Sequence, residues 1–129
     1  MSYARAGFRE VQAEFLGATA ESAAGGIDAI AAMLHLTKTD LAIAAGLSRD
    51  AVSKAARIAA PNTQARLRDL LEILNRTQGW AGSMVQAFAW YRSQPLPSFG
   101  DQTAEDLVKE GRAEAVKSYL SRIAVGGYA

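Results

Sequence analysis

The chain contains no cysteine, only three prolines and no long hydrophobic run. Without cysteine it can form neither a disulfide framework nor a thiolate metal site. No segment approaches the ~20 apolar residues that a membrane-spanning helix requires, and residues 1–15 mix both signs of charge, unlike a secretory signal. We therefore expect no membrane partner, and the missing signal predicts a cytoplasmic location.

The sequence also has few of the residues from which active sites are built. His35 is the only histidine, and its place at the end of an apolar stretch favours packing or helix capping over metal binding. Glu105 and Asp106 are adjacent, so they point in different directions on a helix and suit its first turn. Trp80 and Trp90 have helical spacing to other apolar residues and are expected in the core. We predict no enzymatic activity, no metal and no cofactor.

The charge is nearly balanced over the whole chain but not along it. The formal net charge is +1. Residues 1–35 carry two basic and four acidic side chains, residues 36–79 carry seven and four, and residues 80–129 carry five of each. A solvated surface explains the modest positive excess of the middle segment about as well as a nucleic-acid-binding surface does.

Residue spacing predicts an all-α fold, with abundant alanine and no alternating pattern long enough for a strand. Residues 18–26, "ATAESAAGG", are the most plausible flexible connector. Asn62 is a fair N-cap for the helix that follows Pro61. That helix has one apolar stripe, formed by Leu67, Leu70, Leu71 and Leu74.

Three further helical segments follow in the C-terminal part of the chain. The first ends near Ser93, because the segment "QPLPSFGD" carries two prolines and a glycine. Thr103 then reads as a new helix start, and a last helix begins around Arg112. The apolar stripe of the first is Trp80, Met84, Phe88 and Tyr91, and that of the last is Val116, Leu120 and Ile123.

Residues 38–57, "KTDLAIAAGLSRDAVSKAAR", have the pattern of a helix-turn-helix. Ala42 lies four residues before Gly46, which can adopt the positive φ that ends the first helix. Ser48 can cap the second helix. The shared apolar contacts are assigned to Leu41, Ala45, Leu47 and Val52. An ordinary αα-corner is the alternative, because Ala-x-x-x-Gly is a loose pattern.

The second of these helices is predicted to expose a polar set that reaches phosphates and base edges in a DNA major groove. Asp50 lies among the cations, which fits selective reading better than a bulk electrostatic grip. The predicted DNA-binding residues are Ser48, Arg49, Asp50, Ser53, Lys54 and Arg57.

The C-terminal residues 87–129, together with the helix-turn-helix pattern before them, resemble the Xre–MbcA–ParS antitoxin family. Family members have a tryptophan helix, a proline-rich turn with a glycine, a Thr-Pro-x-x-Leu helix start and a final helix ending near Arg-Ile-x-x-Gly. Ala104 replaces the usual proline, and Phe99 stands where many members have another apolar residue beside paired glycines. The matching residues are Trp90, Pro95, Gly100, Thr103, Leu107, Gly111, Val116, Leu120, Arg122, Ile123, Gly126 and Gly127.

The resemblance implies a type II antitoxin that inhibits a RES-domain toxin, an ADP-ribosyltransferase-like protein acting on NAD. It implies an N-terminal region over residues 1–79 with an Xre-like helix-turn-helix, and a toxin-binding domain over residues 80–129. The C-terminal end would cover the NAD pocket of the toxin, and the complex would repress its own operon. The implied toxin-binding residues are Arg112, Tyr119, Arg122, Ile123, Gly126, Gly127, Tyr128 and Ala129.

Two alternatives stay open from the residues alone. "GGYA" is either a plug, whose glycines let backbone enter a narrow cleft ahead of Tyr128, or a helix cap with a loose tail. The whole chain is either an antitoxin or a stand-alone helix-turn-helix regulator whose C-terminal region dimerises. One recognition helix reads few base pairs, so we expect a homodimer on operator DNA, with apolar side chains of residues 65–91 as the seam.

Overall fold

The computed structural model describes residues 20–126, including the side chains of residues 25–124. This part of the chain is helical and contains no strand, which confirms the all-α prediction. Two short 3-10 turns, Arg49–Val52 and Pro97–Phe99, interrupt the succession of α-helices. The α-helices are α1 (Ala20–Leu34), α2 (Lys38–Ala44), α3 (Ala55–Ile58), α4 (Pro61–Ala81), α5 (Met84–Ser93), α6 (Ala104–Lys109) and α7 (Ala113–Gly126).

One hydrophobic core runs through all of these helices, from Ile27 in α1 to Leu120 in α7. The long helix α4 is its centre, and its four stripe leucines are all buried. Helices α5 and α7 both pack on α4. The boundary between residues 79 and 80 lies inside α4, so the segments on either side of it share one core.

The starts of helices α1 and α4 differ from two predictions. The connector expected at residues 18–26 is helical from Ala20 onward, and its residues 18 and 19 lie outside the described part. Helix α4 begins one residue before the expected cap. Ala60 occupies the N-cap and Pro61 the N1 position, where a proline loses nothing because that N–H has no intrahelical acceptor.

A glycine divides the aromatic stripe that the sequence placed on a single helix. Gly82 has φ +111° and ends α4, and Ser83 then caps α5 by accepting a hydrogen bond from the amide of Gln86. Met84 is buried behind this break. Trp80 lies before it and is 51% exposed, so its assignment to the core is wrong. The backbone turn rotates Trp80 away from the α5 stripe.

The proline-rich segment forms a closed turn between α5 and α6. Leu96 is buried, and its amide donates to the carbonyl of Gln102 while its carbonyl accepts from Asp101. Thr103 then starts α6 with a capping box, in which its side chain and that of Asp106 bond each other's backbone amides. The predicted helix start at Thr103 is confirmed, and the last helix begins within one residue of Arg112.

Candidate functional site

The first half of the predicted helix-turn-helix folds as its sequence indicates. Thr37 caps α2 by accepting from the amide of Asp40. Gly46 ends this part with φ +79°, the left-handed conformation that glycine adopts without strain. Four side chains of the segment, Leu41, Ala42, Ala44 and Ala45, are fully buried. Val52, in the second half, is buried with them.

The second half is not one continuous helix, so that prediction is wrong. A 3-10 turn over Arg49–Val52 is followed by extended backbone at Lys54 (φ −141°, ψ 150°) and then by the single turn of α3. In a continuous helix the carbonyl of Asp50 would accept from the amide of Lys54. Here it accepts from the amide and hydroxyl of Ser53 and from Arg57 instead.

All six predicted DNA-binding residues are nonetheless exposed on this segment. Ser48 occupies the N-cap position of the 3-10 turn but makes no capping bond with its side chain, so its predicted capping role is wrong. Arg49 and Lys54 make no ion pair with the carboxylates of the described residues. Their charges are therefore available to an anionic partner.

The C-terminal half of the chain holds the turn of this segment directly. The hydroxyl of Tyr91 in α5 donates to the carbonyl of Ala44, and Arg66 of α4 donates to the carbonyl of Val108 in α6. Gly46 lies against the end of α6, where an added Cβ would stand 3.3 Å from the Cα of Lys109. The residues that end α2 are thus in contact with α5 and α6.

Tyr91 is fully buried, and its surroundings keep its hydroxyl protonated. Burial raises the pKa of Tyr91 far above its ordinary value, and the negative charge of Glu105 raises it further. Glu105 is itself buried and is paired with Arg92 at 3.4 Å and Lys109 at 3.3 Å. Residue spacing does not predict these two ion pairs, because Glu105 reads as an ordinary first-turn acid.

Phe99, which is not one of the predicted site residues, lies among three of the predicted toxin-binding residues. The guanidinium of Arg112 lies 5.6 Å from the ring centroid of Phe99. The Phe99 ring meets Tyr119 edge to face at 6.0 Å, and Arg122 lies 5.9 Å from the Tyr119 ring. We call these four residues, Phe99, Arg112, Tyr119 and Arg122, the Arg–aromatic strip. It joins the proline-rich turn to α7.

The other predicted toxin-binding residues lie toward the end of α7. Ile123 is half-buried. Gly126 is the last residue of α7. Gly127, Tyr128 and Ala129 lie outside the described residues, so the plug remains a prediction.

An open groove beside the strip, between α4 and α7, has a volume of about 610 Å³. Its centre is Lys117, whose ammonium lies 2.7 Å from Asp69, 3.1 Å from Glu72 and 3.0 Å from Glu114. Burial alone would lower the pKa of Lys117, but the hydrogen bonds that its ammonium donates to these carboxylates outweigh it and raise the pKa. The groove is lined by Glu72, Arg76, Glu114, Lys117, Ser121 and Arg122, among others.

The predicted dimer seam over residues 65–91 is mostly inside the monomer. The apolar side chains of α4 from Leu67 to Leu74 are buried in the core and cannot meet a second copy. Trp80 and Val85 are the large hydrophobic side chains exposed in the described part of the chain, at 51% and 43%. Trp80 packs edge to face on Trp90. These three residues form what we call the tryptophan patch.

Comparison with protein-family models, with curated proteins and with solved structures finds no match to this chain. No helix in residues 20–126 has the length and apolar character to cross a membrane. Among the same residues, no group of three or more histidine, aspartate and glutamate side chains is placed to hold a metal ion. The chemistry of the surfaces described above is therefore what bears on function.

Proposed function

We propose that this protein is a type II antitoxin that binds and neutralises a RES-domain toxin and represses transcription of its own operon. The toxin-binding surface is the C-terminal part of the chain, and the DNA-binding surface is the Xre-like helix-turn-helix of residues 38–57. The proposal starts from the family resemblance of residues 87–129 and combines it with the geometry of the two surfaces.

The observation that carries the proposal is the convergence of Arg112, Tyr119 and Arg122 on one strip. Arg122 is a motif residue of the resemblance, and Arg112 and Tyr119 are further predicted toxin-binding residues on or next to the same helix. Arginine and tyrosine are enriched at the energetic centres of protein interfaces, where each combines a large contact area with polar groups. An interface role explains why two exposed arginines are grouped around a half-buried tyrosine at the edge of the core.

DNA binding is supported by the exposed polar set on residues 48–57 and by the net positive charge of the surrounding segment. Because the second part of the motif is divided at Lys54, the reading element is the short stretch from Ser48 to Ser53. Such a stretch contacts few base pairs, so a homodimer on a two-fold site is part of the proposal.

The proposal predicts a RES-domain reading frame beside this gene, and it is tested by co-purification with the product of that reading frame. We expect a stable complex in which NAD turnover or ADP-ribosyl transfer by the toxin is inhibited. Removal of residues 126–129 should leave the complex intact but restore access to NAD, because helix α7 supplies contact and the tail supplies occlusion. Failure of the full chain to bind or inhibit such a toxin would refute the antitoxin function.

Two single variants resolve the tail further. Tyr128→Ala should relieve inhibition in part, since a buried aromatic anchor contributes about 2 kcal/mol or more at an interface. Gly127→Val should also impair inhibition, because a β-branched side chain obstructs close approach of the backbone. Full inhibition by the four-residue truncation would refute the plug while leaving toxin binding by the helices in place.

A stand-alone regulator is the second candidate, and the tryptophan patch supplies the dimerisation surface that it needs. Residues 77–91 contain no charged side chain, so the patch can meet its own copy across a two-fold axis without repulsion. Trp80→Glu should then yield a monomer in light scattering that retains the fold. A dimeric repressor with no RES-domain neighbour, and with unchanged DNA binding after loss of the tail, would establish this second function.

A further inference from the structure

The Arg–aromatic strip is held in place before any partner binds. Phe99 stands on a turn closed by the Leu96–Gln102 backbone bond of 2.9 Å, and Tyr119 stands on α7, which packs on the core. Each aromatic ring carries one guanidinium on its outer side. Stacking restricts the arginine side chains, so less conformational entropy is lost when they bind.

The two guanidiniums are weakly neutralised within the described residues. Arg112 has one partner, Glu110, at a long 4.0 Å, and its side chain is 49% exposed. Arg122 is exposed and has no ion pair with a described carboxylate. By contrast, Lys117 close by is surrounded by three carboxylates. The strip therefore offers planar cationic groups to an external carboxylate or phosphate.

The adjoining groove discriminates between those two partners. Arg122 belongs to both surfaces, and the groove beyond it carries Glu72 and Glu114, the latter 85% exposed. Arg76 and Lys117 pair with these carboxylates, but together with Asp69 the acids number three against two cations. A nucleic acid that placed phosphates on the strip would therefore next meet a net negative charge, which repels it. A protein can present acidic side chains to the strip and a basic side chain to the groove.

We propose that the Arg–aromatic strip is the anchor of the toxin interface, that it binds acidic side chains of the toxin, and that Phe99 is its positioning residue. This inference rests on the proposed function. In this inference the strip supplies the affinity for the toxin, and the tail supplies the occlusion of the NAD pocket. Phe99 contributes by holding Arg112 and Tyr119 in register, with the proline-rich turn as its support.

The test measures the dissociation constant for the purified RES-domain toxin that the proposed function requires, at low and high salt. Arg112→Lys and Arg122→Lys keep the charge but lose the planar fork, and each should weaken binding about tenfold or more. Arg122→Ala should also flatten the salt dependence. Arg68→Lys is the matched control, because Arg68 is an exposed arginine of α4 away from the strip and should bind like the native chain.

Phe99 is tested by a pair of variants. Phe99→Leu keeps apolar contact but removes the π face, and should weaken binding several-fold at an unchanged thermal midpoint. Phe99→Tyr should restore native affinity, which a merely structural role in folding would not require. Strip variants that bind within twofold of the Arg68→Lys control would overturn the inference while the antitoxin function stands.

Two other outcomes are decisive as well. If the native chain does not bind the toxin at all, the proposed function fails, and the inference fails with it. If the strip variants bind the toxin normally but lose retention on a labelled duplex of the native promoter, the strip is a nucleic-acid surface. That result would overturn the choice of an acidic protein partner.

Discussion

The hydroxyl of Tyr91 donates a hydrogen bond to the backbone carbonyl of Ala44, 47 residues earlier in the chain. Ala44 is the last residue of α2, and the carbonyls at a helix C-terminus have no intrahelical donor. A buried carbonyl without a partner is costly, so this bond fixes where α2 ends relative to α5. The predicted DNA-binding segment is therefore positioned by the C-terminal half of the chain.

The first prediction follows from this bond. Tyr91→Phe should lower the free energy of unfolding by about 1–3 kcal/mol, because the buried carbonyl of Ala44 loses its donor. Urea denaturation measures the change. Tyr119→Phe is the control, since the hydroxyl of Tyr119 makes no hydrogen bond among the described residues, and it should cost much less. Equal effects of the two substitutions would contradict the role assigned to the Tyr91 hydroxyl.

The raised pKa values of Tyr91 and Lys117 predict how stability varies with pH. Their ordinary values are 10.0 and 10.5. Below them, folded and unfolded chains bind the same protons and the stabilisation is fully present. Above them the unfolded chain releases protons that the folded chain keeps, so the free energy of unfolding falls.

The Tyr91 contribution can be isolated by comparing pH profiles. Above about pH 10, the native chain should lose roughly 1.4 kcal/mol of stability per pH unit through Tyr91, in addition to the loss through Lys117. Tyr91→Phe should show the shallower decline. Urea denaturation between neutral and strongly alkaline pH is the measurement, and parallel profiles for the two proteins would disprove the linkage.

Two glycines with nearly the same backbone conformation provide a matched pair. Gly46 has φ +79° and Gly111 has φ +83°, but an added Cβ at Gly111 meets nothing within 4 Å. At Gly46 it would meet backbone atoms of Val108 and Lys109, both at 3.3 Å. Gly111→Ala should cost about 1–2 kcal/mol of unfolding free energy through backbone strain. Gly46→Ala should cost at least about 1 kcal/mol more, through overpacking against α6.

Thermal or urea denaturation of both variants checks this difference. Gly79→Ala completes the set, because Gly79 lies inside α4 with open space around it and should become more stable by about 0.5–1 kcal/mol. Equal losses at Gly46 and Gly111 would show that the turn is not tightly packed on α6.

The proposed DNA-binding role of residues 48–57 yields a fourth prediction. Arg49→Ala combined with Lys54→Ala should weaken operator binding in gel shifts and reduce the logarithmic salt slope by roughly 2, because two phosphate-neutralising cations are removed. Both side chains are exposed, so the fold and toxin binding should be unchanged. Arg68→Ala is the control for loss of an exposed charge elsewhere. Native affinity of the double variant for the promoter would show that the reading element lies elsewhere.

Local signals in the sequence were sufficient for several features of the fold. The leucine stripe of α4, the glycine turn at Gly46 and the helix start at Thr103 depend on residues within one or two turns of each other. Such short-range preferences act whatever the rest of the chain does. The sequence predicts that His35 either packs or caps a helix; it is exposed, and its φ of +59° places it at the left-handed end of α1, which agrees with capping and not with packing.

Other features depend on which residues meet across the fold. Spacing alone predicts Trp80 in the core and Glu105 on an ordinary first turn. In the structure Trp80 is exposed and Glu105 is buried, because the helices that pack against a residue decide its burial.

The sequence pattern also does not predict the helix breaks at Gly82 and Lys54. At Lys54 the helix is interrupted because the carbonyl of Asp50 accepts from the amide and hydroxyl of Ser53 and from Arg57. Whether these donors reach that carbonyl depends on their positions in space.

The sequence by itself determined the helical class, individual turns and helix starts such as Gly46 and Thr103, and the residue types available for binding, because periodicity and capping are local properties. Only the tertiary structure decided that Phe99 joins Arg112 to Tyr119 and that Tyr91 reaches Ala44. These pairs are separated by 13 to 47 residues, and their contact requires the whole core to form. The sequence specifies which chemical groups the side chains carry, but the distances between side chains depend on how the core packs.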